Sequence, residues 1–155
     1  MAGRFYEQLE IGMVMRHEPS RTVTETDNVL FSSLTMNPQP LHLDAEFGRR
    51  SHFGAPVVNG LYSLSLMMGL TVHDTTLGTT GGNLGFEQIE FAHPVFTGDT
   101  LTAETEVISK RPSASRPEFG IVEFEHRCYN QNDQVVVRCR RVGLISRQPA
   151  GGTSL

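Results

Sequence analysis

Apolar and polar positions alternate most clearly in the second half of the chain. Leu101, Ala103, Thr105 and Val107 interleave with Thr102, Glu104 and Glu106, and Val122, Phe124, His126 and Cys128 with Glu123, Glu125 and Arg127. A period of two is that of a strand with one buried face. The run Asn130-Gln131-Asn132-Asp133 has turn chemistry and leads into a further strand over 135–145, which predicts a hairpin. Arg138, Arg140 and Arg141 interrupt the alternation of that strand and predict a bulge there.

The first half reads differently. Residues 13–17 and 20–24 predict one or two early strands broken at Pro19, and residues 28–34 a short helix N-capped by Thr26 or Asp27 and ending near Met36. Residues 45–53 predict an irregular helical or loop excursion. A central helix is predicted from 58–60 to about 71, carrying Leu61, Leu64, Leu66, Met67, Met68 and Leu70 over most of its circumference, as a helix wrapped by a sheet would. The glycine-rich stretch 78–85 reads as a loop. It lacks the Lys-Ser/Thr ending of a phosphate loop and could serve as a lid. The sum is an α+β chain with a mostly antiparallel sheet around one helix. It forms one domain over 1–147, with 148–155 as a C-terminal tail. Such a sheet leaves an apolar edge that a second copy can pair with, so a homodimer is expected.

The chemistry concentrates in Asn37-Pro38-Gln39-Pro40-Leu41-His42-Leu43-Asp44. Each proline fixes its own φ and turns the preceding residue away from helix, so His42 sits at a fixed offset beyond a helix end. That is how a proton-transfer group is held for use. The same spacing also suits a rigid connector whose histidine is a hydrogen-bonded filler.

This segment resembles the active-site loop of the MaoC-like (R)-specific enoyl-CoA hydratases and dehydratases, whose pattern is roughly Asp-x-Asn-Pro-x-His-x-Asp. The match holds at Pro40, His42 and Asp44 and departs at Asn37, in the place of the catalytic Asp, and at Gln39, in the place of Asn. Residues 55–61, Ala-Pro-Val-Val-Asn-Gly-Leu, resemble the family's entry into its central helix. Residues 91–101 resemble its strand-turn-strand signature, so the likeness covers nearly the whole chain.

The resemblance implies a single hotdog fold and a hydro-lyase that adds water across the double bond of an enoyl-CoA, the thioester being substrate and no cofactor being needed. It makes His42 the principal acid/base and the backbone N–H of Gly60, at the helix N-terminus, the donor to the thioester oxygen. An amide at Asn37 cannot titrate. Either His42 serves as both base and acid while Asn37 orients the water, or another carboxylate such as Asp44 stands in, or the protein binds acyl-CoA without turning it over. The loop also resembles that of enzymes acting on branched or dicarboxylic C4–C5 enoyl-CoAs of the mesaconyl or itaconyl type. A distal carboxylate would suit the arginine fork, with Arg49 and Arg50 as candidates and His52 a weaker one. Gln39, Asp44 and Asn59 complete the expected substrate-binding set, and Lys110 and Arg111 could meet the CoA phosphates. A hotdog thioesterase remains an alternative, although residues 61–73 hold no carboxylate of the kind it would need on the helix.

Composition narrows the classes. The chain has 155 residues and a formal net charge of −4 with no basic tract, which argues against nucleic acid or an anionic membrane surface as partner. No apolar run approaches the roughly 20 residues needed to span a bilayer. The start lacks the apolar core of a secretory signal, and the cysteines, Cys128 and Cys139, fall on neighbouring strands out of register for a bridge. These features predict a reducing cytoplasm. The six histidines are scattered and neither cysteine has a partner at zinc spacing, so no metal site is expected. His93, before Pro94, reads as structural, and His73-Asp74 as a helix-terminal pair.

Overall fold

The computed structural model describes residues 3–149; residues 150–155, most of the expected tail, lie outside the described residues. The chain begins with a 3-10 turn, Tyr6–Gln8, and two short strands, β1 (Val14–Arg16) and β2 (Arg21–Thr22). Three short helices follow, α1 (Glu25–Leu34), α2 (Pro40–Leu43) and α3 (Ala45–Arg50), and then the central helix α4 (Gly60–Thr75). Four long strands complete the chain: β3 (Thr80–Phe91), β4 (Thr100–Pro112), β5 (Phe119–Tyr129) and β6 (Val135–Ser146). The antiparallel sheet has the order β1-β4-β5-β6-β3, with β2 pairing beside β1 on β4. It curves round α4 in the hotdog arrangement.

The alternation of β5 is complete: Val122, Phe124, His126 and Cys128 are all buried, facing inward. The buried stripe of α4, with Leu64, Met67 and Leu70, meets Val95, Leu101, Ala103, Cys128, Val137 and Cys139 to form the main core. A second cluster joins Tyr6, Leu9 and Met15 to Val107, Val122, Phe124 and Ile145. Burial pushes the Cys128 thiol up to about 12 and the Cys139 thiol up to about 11. Cys128 stands opposite Val137 and Cys139 opposite His126, and both are free thiols.

Four expectations need correction. Most of 78–85 is not a loop: strand β3 starts at Thr80, and Gly81 serves packing, because a Cβ there would lie 2.4 Å from the Phe119 ring. No lid exists there. The extra residue expected among the arginines of β6 lies instead across from them. Glu87 faces Arg140 and Glu90 faces Arg138, so β3 advances by one more residue than its partner, with Gln88 at φ 51°. From Val137 to Gly143 the alternation of β6 holds, and it places Arg141 on the inner face, 5.1 Å over the Phe124 ring. Finally, the α1 N-cap is Thr24, which exchanges hydrogen bonds with Asp27 in a capping box.

Helix α1 is amphipathic in an unexpected sense. It buries Asn28 and Ser32, and turns Val29, Leu30 and Leu34 to solvent. The outer edge of β3 has no partner strand among the described residues, and Leu84, Phe86, Ile89 and Phe91 along it are exposed. No helix among the described residues is long and apolar enough to cross a membrane.

Candidate active site

The His42 loop is fastened at both ends. Helix α1 ends in a complete Schellman motif: the N–H of Met36 donates to the Ser33 carbonyl (3.1 Å) and that of Asn37 to the Ser32 carbonyl (2.9 Å). Met36 takes the left-handed position, φ 54°, that glycine usually fills. The Asn37 side-chain oxygen then accepts from the Gln39 N–H at 3.1 Å, closing an Asx turn. Pro40 occupies the first position of α2, where its missing N–H costs nothing.

His42 sits within that turn. Its Nδ1 lies 2.7 Å from the carbonyl oxygen of Val57, which can only accept, so Nδ1 carries the proton. The neutral ring is thereby held in the tautomer whose Nε2 offers a lone pair, and Nε2 has no protein partner among the described residues. The ring lines a cavity of about 250 Å³ with Phe53, Val57, Gly60, Phe91 and His93. Its inner wall is Val58, Ser63, Val95 and Val136, all buried.

Gly60 is the first residue of α4 and also lines the cavity. Its N–H has no partner among the described residues. The absent side chain has a concrete reason, since a Cβ at Gly60 would lie 2.9 Å from the Phe91 ring. The free N–H and the positive end of a long helix therefore face the same space as the imidazole.

Other expected residues are placed elsewhere. Asn37 does not line the cavity, and its side-chain oxygen is spent within its own loop. Gln39 is exposed. Asp44 caps α3, its Oδ1 accepting from the N–H groups of Glu46 (2.8 Å) and Phe47 (3.0 Å), so it cannot replace a catalytic carboxylate. Asn59 is buried and caps α4 through the Leu61 N–H at 3.0 Å, a structural task rather than a substrate contact. Arg49 forms an exposed ion pair with Glu46, and Arg50 donates to the Glu46 carbonyl at 3.2 Å; neither borders the cavity. Lys110 is committed to the carbonyls of Tyr6 (2.9 Å) and Leu9 (2.6 Å), which removes it as a phosphate contact. His93 does line the cavity, with its Nδ1 bound to the Val135 carbonyl at 2.8 Å.

No sequence signal marks Asn28, which joins the parts of the site. Its amide nitrogen donates to the carbonyls of His42 (3.0 Å) and Val57 (3.3 Å), and its oxygen accepts from the Asn59 N–H at 2.9 Å. One side chain thus ties the His42 loop to the helix entry. In sequence it is an ordinary polar residue of a short helix, and only the inverted burial of α1 reveals it.

A family profile described as "MaoC like domain" matches residues 7–126. The chain belongs to the MaoC-like family. The mesaconyl-CoA hydratase of Haloarcula marismortui is 30% identical over 97% of this chain and 42% of its own length. This chain therefore spans less than half of that relative. The (R)-specific enoyl-CoA hydratase of Aeromonas caviae is 34% identical over 84% of this chain and 91% of its own. The crystal structure of the MaoC-like dehydratase from Rhodospirillum rubrum superposes with a TM-score of 0.83 at 31% identity, covering 96% of this chain and 100% of that one.

Proposed function

We propose that this MaoC-like chain hydrates the double bond of a short enoyl-CoA thioester, or dehydrates the 3-hydroxyacyl-CoA in reverse. The observation that carries the reading is the His42 ring, oriented by Val57, in one cavity with the unpaired N–H of Gly60. His42 Nε2 takes a proton from water as the water oxygen bonds to Cβ. The π pair moves to Cα, and negative charge gathers on the thioester oxygen, where the Gly60 N–H meets it. The imidazolium then returns the proton to Cα. With Asn37 and Asp44 both outside the cavity lining, His42 acts as base and then acid. The addition consumes only water, and we propose that it needs no cofactor.

For the acyl group we infer a C4–C5 enoyl thioester of the mesaconyl type. Support comes from the similarity to mesaconyl-CoA hydratases and from the limited volume beside His42. Neither Arg49 nor Arg50 recognises a distal carboxylate in this reading. We further propose a cytoplasmic homodimer. The unpaired edge of β3 with its exposed Phe86 and Phe91 supports self-association, and Phe91 also lines the cavity, so a second copy on that edge would help close the site.

The direct test follows loss of the conjugated thioester absorbance with crotonyl-, mesaconyl- and itaconyl-CoA for the wild type and His42→Ala. Turnover by the wild type that disappears in His42→Ala supports the proposal. Binding of the thioesters without turnover by the wild type would overturn it in favour of a non-catalytic acyl-CoA-binding protein. Asn37 in place of the family's Asp is the residue that favours this second reading.

A further inference from the structure

Ser63 stands out on α4 for what its hydroxyl does not do. It is 2% exposed, and its Oγ has no hydrogen-bond partner among the described residues. A serine inside a helix commonly bonds back to a carbonyl of the preceding turn. Two threonines of this helix do so: Thr71 Oγ1 donates to the Met68 carbonyl at 2.8 Å and Thr75 Oγ1 to the Thr71 carbonyl at 2.6 Å. The equivalent acceptor for Ser63, the Asn59 carbonyl, receives only the backbone N–H groups of Tyr62 (3.0 Å) and Ser63 itself (3.2 Å). A buried hydroxyl left without a partner is destabilising, so its retention points to a partner that arrives from outside.

Position relates that partner to the site. Ser63 lines the same cavity as His42 and Gly60, in the wall formed with Val58, Val95 and Val136. Positions 60 and 63 share a helix face, and a helical side chain tilts towards the N-terminus, over the turn that Gly60 begins. The valines offer nothing polar, so in that wall the hydroxyl and the Gly60 N–H are the donors available to one incoming oxygen.

We propose that Ser63 Oγ–H is a second donor to the thioester oxygen, completing with the Gly60 N–H a two-donor oxyanion site. The assignment rests on the enoyl-CoA hydratase reading given above. As water adds at Cβ and the π pair moves to Cα, the thioester oxygen gains negative charge, and the two donors bind that oxygen more tightly than they bind the ground-state carbonyl. No proton leaves Ser63 during the step.

The test compares the wild type with Ser63→Ala and Ser63→Thr, the latter keeping the hydroxyl. In Ser63→Ala, kcat falls on the order of 100-fold with KM nearly unchanged, as for loss of one oxyanion donor, while Tm stays level or rises because an unpaired polar group has gone. Ser63→Thr restores much of the lost kcat. A drop in Tm with kcat preserved would assign the hydroxyl a structural partner and overturn the proposal, as would unchanged kcat. A second readout does not depend on turnover. In the His42→Ala background, the absorbance of bound crotonyl-CoA shifts to the red as donors polarise its carbonyl, and adding Ser63→Ala shrinks that shift. An undiminished shift overturns the Ser63 assignment even if the wild type hydrates nothing. Wild-type silence on every enoyl-CoA, by contrast, fails the hydratase reading alone.

Discussion

Asn28 Oδ1 accepts a hydrogen bond from the backbone N–H of Asn59 at 2.9 Å, and through this contact a short helix near the start of the chain sets the entry of the central helix. Because the same side chain also holds the carbonyls of His42 and Val57, Asn28→Leu removes three bonds and leaves buried polar groups unpaired. We expect a loss of about 2–4 kcal/mol in urea unfolding. A fall in kcat/KM of at least about tenfold should accompany it if His42 acts as proposed, since small displacements of a reacting group are costly. Activity retained in a destabilised protein would show that the loop holds its shape without this link.

Arg49→Ala and Arg50→Ala, separately, leave kcat/KM for mesaconyl-CoA within about twofold of the wild type. Both side chains are exposed and tied to Glu46, and exposed pairs of this kind contribute little. A large selective loss on dicarboxylic substrates would mean that the α3 segment swings over the cavity when substrate binds.

The buried face of the sheet carries a hydrogen-bonded chain with a predictable pH signature. Asp74 meets His17 Nδ1 at 2.8 Å, His17 Nε2 meets Thr105 Oγ1 at 2.8 Å, and Thr105 Oγ1 meets His126 Nδ1 at 2.8 Å. Burial first, then the positive charges of Arg141 and His17, hold the His126 imidazole well below its ordinary value of 6.5. The folded protein keeps this ring neutral where the unfolded chain would protonate it. Stability is therefore full above about pH 6.5 and declines as pH falls below it, by up to about 1.4 kcal/mol per pH unit until the folded value is reached. Melting curves between pH 8 and 5 should show this decline in the wild type, and His126→Gln should flatten it. Equal slopes in the two proteins would assign the pH dependence to other groups.

Phe86→Asp places a charge on the exposed inner face at the β3 edge, opposite Arg141. If two copies associate through that edge, sedimentation equilibrium shows a dimer for the wild type and a monomer for the variant. A dimer that survives the substitution moves the interface elsewhere, with the exposed apolar side of α1 the next surface to examine.

Strands β4 and β5 were legible because half-buried strands write a period of two into the sequence, and His42 and Gly60 because their neighbours fix local backbone. What escaped depended on partners distant in sequence. Gly81 looked like a loop residue because Phe119, whose ring occupies the space of its missing side chain, lies far along the chain. Arg141 read as a break in the alternation because nothing local announces that its guanidinium lies inward over Phe124. Arg49 and Arg50 had suitable chemistry, but their helix turns them to solvent, and residue type does not encode that direction.

The inverted burial of α1 also bears on motion. A helix docked by Asn28 and Ser32, with Phe31 edge-on to Tyr62 and its leucines in water, is held to the body of the protein largely by polar contacts. Its opening should therefore cost far less than global unfolding, so that amide protons of residues 28–34 exchange with solvent while those of β5 stay protected. Since α1 leads directly into the His42 loop, its opening would loosen the mouth of the cavity through which a ligand must pass.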